Sequence, residues 1–295
     1  DGQSVKRFGL KSGEYLRELA EALASGTYRP QPVKRVEIPK GRGNTRPLGI
    51  PAVKYRIVQT ALKMVIEPIF ENEFEESSYG FRPKRGCKDA LREVDRLIKE
   101  GYTHVVDADL ASYFETIPHE RLLALVGKRI SDGRILDLIR SYLEQDVVSD
   151  LKRWRPTGGT PQGAVISPLL ANLYLHPLDR SMRAKGFRMV RYADDFVVMC
   201  STPESARSAL AEIRAWVSEN GLTLHPDKTH LGDCTVPGQG FDFLGYRFEA
   251  GKRWVRRKSL KAFRDRIRTK TKRTCGKSLD QVIESLNPML SGWFG

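Results

Sequence analysis

Two hydrophobic periods alternate along the chain. Residues 13–24, 54–72 and 87–99 space their apolar positions three and four apart, which predicts amphipathic helices, and 119–145 reads as further helices. "THVVDADL" (103–110) alternates as a strand does, and "FRMVRY" (187–192) and "FVVMC" (196–200) read as two more. Residues 203–220 predict a helix, with Pro203 near its start and Gly221 just past its end. "FDFLGYRF" (241–248) followed by "RWVRR" predicts a hairpin around "EAGK". Helices and strands mix without a regular βαβ repeat, so the expected class is α+β. No internal repeat or low-complexity tract interrupts the pattern.

Composition narrows the partners. The 295 residues are 40% hydrophobic and 29% charged, proportions of a globular chain long enough for one or two domains. The net charge of +14 calls for a polyanionic partner. Residues 252–277 hold thirteen Lys or Arg against one acid, Asp265, so nearly the whole excess sits there. Phe263 and Ile267 add a thin apolar stripe at helical spacing, predicting a basic helix docked by one face and laid along a nucleic-acid backbone. Four scattered cysteines without a CxxC pair indicate neither a disulfide framework nor a zinc knuckle. His225, His230 and Cys234 offer only three zinc ligands in a polar loop. With no membrane-length apolar run and no basic-then-apolar leader, the expectation is no membrane and a reduced, cytoplasmic setting, bacterial or organellar. There is no P-loop and no nucleophile elbow.

Chemistry concentrates at "RYADDFVVM" (191–199), which sets Asp194 and Asp195 in an apolar run. With strands on both sides, the pair belongs at a hairpin tip, where both carboxylates can face one cleft. Converging carboxylates repel unless a divalent cation lies between them, and Mg²⁺ suits an all-oxygen site completed by substrate phosphates. A third carboxylate comes from "VVDADLASYFETI" (105–117), where Asp107 and Asp109 share a strand face and Phe114 follows Asp109 by five residues. A strand-ending aspartate, an aromatic at +5 and a Y-x-D-D hairpin describe a polymerase palm with two-metal nucleotidyl transfer.

From these residues outward, the sequence resembles the reverse-transcriptase part of group II intron-encoded proteins across nearly its full length. The motifs appear in order: "KGRGNTRPLGIP" (40–51), "YRIVQTAL" (55–62), "SSYGFRPKRG" (77–86), "DLASYFETI" (109–117), "GGTPQGAVISPLLANLYL" (158–175), "YADD" (192–195), "GLTLHPDKT" (221–229), "FDFLGYRF" and "SLNPMLSGW" (285–293). The resemblance implies a right-hand polymerase fold. Fingers would be 1–83 and 119–157, palm 84–118 and 158–250, and the start of a thumb 251–295. It implies that Asp109, Asp194 and Asp195, with the Leu110 carbonyl, hold two Mg²⁺ ions. Lys40 and Arg46 would clamp the triphosphate, Phe114 would exclude a ribose 2′-hydroxyl, and Gln162 and Lys228 would complete the nucleotide site. Gly163 would let backbone approach the base pair. Arg82, Gly245, Arg264, Arg268 and Lys272 would meet nucleic acid.

Two positions depart from the family pattern: Glu115 stands where Asp is usual, and Ala164 where Gly is usual. The implied activity is RNA-directed DNA synthesis, with RNA template, DNA primer, deoxynucleoside triphosphates and intron RNA as partners. The rival readings are an RNA-binding splicing cofactor and a CRISPR-associated reverse transcriptase. Asp107, two residues deeper than Asp109, is expected to pair with a base such as Arg191.

Overall fold

The computed structural model describes residues 4–41, 44–150, 152–226, 228–274 and 276–294, without the side chains of 40, 41 and 44. The chain begins α1 (Val5–Gly9), α2 (Ser12–Ala24), β1 (Val33–Gly41), β2 (Asn44–Ile50), α3 (Val53–Glu71) and α4 (Cys87–Lys99). It continues β3 (His104–Asp109), α5 (Tyr113–Thr116), α6 (His119–Gly127), α7 (Gly133–Leu143), β4 (Val147–Ser149), β5 (Lys152–Trp154) and α8 (Ser167–Ala184). Then come β6 (Arg188–Tyr192), β7 (Asp195–Cys200), α9 (Pro203–Glu219), β8 (His230–Asp233), β9 (Phe241–Phe243), β10 (Tyr246–Glu249), β11 (Lys252–Val255), α10 (Arg257–Lys270) and α11 (Leu279–Phe294). The helices and strands expected from periodicity are present within one or two residues of their predicted ends. One strand divides: "FDFLGYRF" turns back on itself at Leu244 and Gly245, both at positive φ, so β9 and β10 form a hairpin of their own. No helix among the described residues is long and apolar enough to cross a membrane.

Two compact units result, residues 1–232 and 233–295. In the first, a sheet of order β6-β7-β3-β8 carries the aspartates. Its register places Val106, Ala108, Phe196, Val198 and Met189 on one face, all buried in the main core with Leu170, Leu173, Leu178 and Ile213 of α8 and α9. Val105, Val190, Val197 and Met199 occupy the other face and are equally buried, with α4 against β6 and β7. Apart from half-buried Asp107 on one face and buried Arg191 on the other, both faces are apolar until the end of β3 and the start of β7, where half-buried Asp109 and Asp195 mark the edge of the cover. A second sheet, order β2-β1-β4-β5, carries the "RPLGIP" strand. In the second unit, β9–β11 form a three-stranded sheet. There α10 buries Phe263, its ring stacked on Trp293 of α11 with centroids 4.1 Å apart.

Candidate active site

The β6–β7 hairpin turns through only Ala193 and Asp194, as the sequence predicts. Ala193 has φ +60°, a left-handed conformation that costs a non-glycine residue about 1–3 kcal/mol and persists only when its surroundings impose it. Two neighbours do so. Arg191 Nη1 donates to the Ala193 carbonyl at 2.8 Å. Gly80 lies against the turn so closely that a Cβ there would sit 2.4 Å from the Ala193 amide nitrogen.

Register brings the carboxylates together. Asp195 lies opposite Asp109 across β7 and β3, and opposite Tyr192 across β7 and β6, so the three side chains form one lateral row. Directly opposed residues in an antiparallel pair stand about 5 Å apart at Cβ, which sets the two carboxylates within mutual repulsion. Lys228 supplies a counter-charge, its ammonium hydrogen-bonded to Asp109 Oδ2. The "GLTLHPDKT" segment is held there by backbone bonds from His225 N to the Asp109 carbonyl (2.7 Å) and from Ala111 N to the Thr223 carbonyl (2.8 Å). These bonds flank the Leu110–Leu224 bridge and engage the neighbours of Leu110, leaving the Leu110 carbonyl outside the ladder.

Arg191 is where the sequence expectation fails. Strand alternation turns it away from Asp107 and onto the opposite face with Phe196 and Ala108. Its partner is Asp179 of α8: Nε donates to Oδ1 at 2.7 Å and Nη2 to Oδ2, with both side chains fully buried. Burial opposes the guanidinium charge, but the Asp179 carboxylate outweighs it and holds the Arg191 pKa above its ordinary value. Nη1 also reaches Asn172 Oδ1 (2.9 Å) and Nη2 reaches Ser78 Oγ (2.8 Å). On the backbone, Arg191 N donates to Ser77 O and Tyr79 N to Arg191 O, so the "SSYG" segment pairs in parallel along the outer edge of β6.

Arg82 also departs from expectation. It is buried; Nε and Nη2 grip Glu71, and Nη1 donates to the Glu75 and Ser78 carbonyls at 2.7 Å each. Its guanidinium is thus engaged by the protein itself, where it braces the "SSYGFRP" loop.

The "GGTPQG" loop ties the strand-bearing aspartate to β2. Thr160 N donates to the Phe114 carbonyl (2.6 Å), and Gly49 N to the Gln162 carbonyl (2.6 Å). A Cβ at Gly163 would lie 2.7 Å from Leu48 Cδ1 and 2.8 Å from the Gly49 carbonyl, so only glycine allows this approach. A cavity of about 360 Å³ opens between Val33, Gly49, Phe114, Trp154 and Gln162. Two residues expected at the nucleotide, Phe114 and Gln162, are among those that line it. Arg46, exposed in β2, emerges on the opposite strand face from the cavity-lining Pro47 and Gly49 and does not join it. The side chain of Lys40 lies outside the described part of the structure. In the second unit, Gly245 sits in the β9–β10 turn at φ +86°. Arg264 and Arg268 project from α10 into solvent, and Lys272 is exposed just beyond its end.

A carboxylate row at the open end of an antiparallel sheet, with two acids at the hairpin tip, defines a nucleic-acid polymerase palm. The chain belongs to the reverse transcriptase (RNA-dependent DNA polymerase) family, whose model matches residues 38–248. Residues 260–295 match the maturase-specific domain of group II introns. Protein YkfC of Escherichia coli is 38% identical over 290 residues, covering 84% of this chain and 74% of that protein. The group II intron-encoded protein LtrA of Lactococcus lactis is 38% identical over 170 residues, 57% of this chain, and the match spans only 28% of LtrA. A telomerase structure from Candida albicans superposes with a TM-score of 0.61 at 14% identity, covering 97% of this chain and 57% of that one, which shows the right-hand polymerase fold.

Proposed function

We propose that this chain extends a DNA primer on an RNA template, as the polymerase part of a group II intron-encoded protein. The observation that carries the reading is the direct cross-strand pairing of Asp109 with Asp195, with Asp194 at the adjoining turn. The donor set fits Mg²⁺. All its ligand atoms are oxygens, and in this structure the Asp109 carboxylate is paired with the Lys228 ammonium. Among the described residues no three acidic, imidazole or thiol groups form a ready-made metal cage. Water and substrate phosphates would therefore have to complete the shell of any ion bound there. Two bound ions would lower the pKa of the primer 3′-hydroxyl and neutralise the triphosphate and leaving pyrophosphate.

The protein's own groups do the rest. Asp109, Asp194 and Asp195 would hold the ions at the open edge of the sheet, and the Leu110 carbonyl would add a fourth oxygen. Lys40 and Arg46 supply fixed positive charge for the triphosphate. Lys228, leaving Asp109, stands ready to meet charge developing on the pyrophosphate. Phe114 and Gln162 line the sugar and base. Gly245 and the exposed bases of α10 meet the duplex and the RNA backbone.

A second activity, RNA binding that assists splicing, is favoured by the maturase-domain match over 260–295. The test is primer extension on an RNA template with deoxy- or ribonucleoside triphosphates. Wild type should use the deoxynucleotides, and Phe114→Ala should raise ribonucleotide use well beyond any change in deoxynucleotide use. No extension by the wild type would contradict the polymerase reading. Equal effects on both sugars would make Phe114 a packing residue only.

A further inference from the structure

Phe81 is 51% exposed, yet it lies between two of the most tightly held residues around the catalytic hairpin. Its backbone has φ +58°, a left-handed conformation that is a true outlier for a bulky side chain. On one side Gly80 is wedged against Ala193, and its carbonyl accepts from Asn172 Nδ2 at 2.7 Å. On the other, Arg82 is bonded to Glu71, Glu75 and Ser78, with its guanidinium 5.3 Å from the centre of the Phe74 ring. These contacts over-determine the backbone of Phe81, and their result is an aromatic ring aimed outward. The ring stands 6.5 Å from that of Tyr192, tilted by 42°. Tyr192 is in the same lateral row as Asp195 and Asp109. A strained residue whose bulky side chain stays half exposed is not explained by packing alone, and strain of this kind clusters at active sites and ligand clamps.

We propose that Phe81 is a nucleic-acid contact: its ring packs against a nucleotide of the template–primer duplex beside the catalytic turn. The inference rests on the polymerase reading above, because that reading places a duplex over the carboxylate row. An aromatic face suits the task because every base and sugar offers a flat or apolar surface, so the contact is independent of sequence. Tyr192 supplies the neighbouring ring. Together they would form a short aromatic ledge on the β6 side of the aspartates, away from Lys228 on the β3 side.

The experiment separates presentation from packing, because the two predict opposite signs. In the full-length protein, Phe81→Asn places a residue that tolerates left-handed φ at the strained position. Its thermal midpoint should equal or exceed that of the wild type. Its Kd for an RNA–DNA template–primer, read by fluorescence anisotropy, should weaken roughly tenfold, the scale of one lost aromatic stack. Phe81→Tyr should retain wild-type affinity. An abasic nucleotide walked through the duplex then identifies the surface used. A position where it weakens wild type but not Phe81→Asn assigns the base; no such position assigns the sugar. Unchanged Kd in Phe81→Asn overturns the proposal, as does a loss of affinity accompanied by a fall in thermal midpoint. If wild type itself neither binds nor extends the template–primer, the polymerase reading fails and takes this inference with it. If wild type does both and Phe81→Asn binds equally well, only this inference fails.

Discussion

Arg191 shows how one buried side chain governs a catalytic turn. Its guanidinium joins Asp179, Asn172, Ser78 and the Ala193 carbonyl within a fully desolvated site. Removing one member of such a pair leaves an uncompensated charge, whereas removing both leaves only orphaned hydrogen-bond partners. Arg191→Met should therefore lower folding stability by about 3–5 kcal/mol. The double variant Arg191→Met/Asp179→Leu should recover about 2 kcal/mol of that loss, measured by denaturant midpoints. A double variant no more stable than the single would mean that Asp179 is satisfied without Arg191. The sequence made Asp194 and Asp195 conspicuous because carboxylates are rare in an apolar run. It made Arg191 look available to Asp107 because its partner Asp179 lies twelve residues earlier, on a helix whose orientation no local pattern reveals. Arg82, which the family resemblance implies meets nucleic acid, is tied to Glu71 at the end of α3, a partner that no local pattern reveals.

Among the elements, those defined by local periodicity were legible and those defined by docking were not. The strand alternation of "THVVDADL" predicts β3, and Thr202, Pro203 and Gly221 bound α9 as capping chemistry requires. The parallel pairing of "SSYG" along β6 has no sequence period, since the segment is irregular and borrows its order from Arg191. The "GGTPQG" loop likewise takes its shape from Phe114 and Gly49, residues 46 or more positions earlier. For α10 the prediction is electrostatic. Its sequence places one buried aromatic, Phe263, on a helix otherwise lined with exposed bases. Each phosphate neutralised contributes roughly 0.7 to 0.9 to the slope of log affinity against log salt. Replacing Arg264, Arg268 and Lys272 with Gln should flatten that slope for RNA binding by roughly two to three units, with base preference unchanged. An unchanged slope would return these three residues to the role of a solvated helix face.

Across the whole molecule, the residues of the carboxylate row and the loops that support it all fall within the unit 1–232, while the basic helix and the maturase-domain match fall within 233–295. The carboxylates expected to hold metal and the basic helix thus lie in separate compact units, so each can be altered by mutation without touching the other. The central claim is that the hairpin tip performs nucleotidyl transfer without itself holding the duplex. It is tested by Asp194→Ala in the full-length protein, comparing single-turnover extension of a DNA primer on an RNA template with the Kd for the same template–primer. The account predicts extension below a few per cent of wild type at saturating Mg²⁺, with Kd within a few fold. Extension at wild-type rates, or a loss of extension matched by an equal loss of binding, would contradict it.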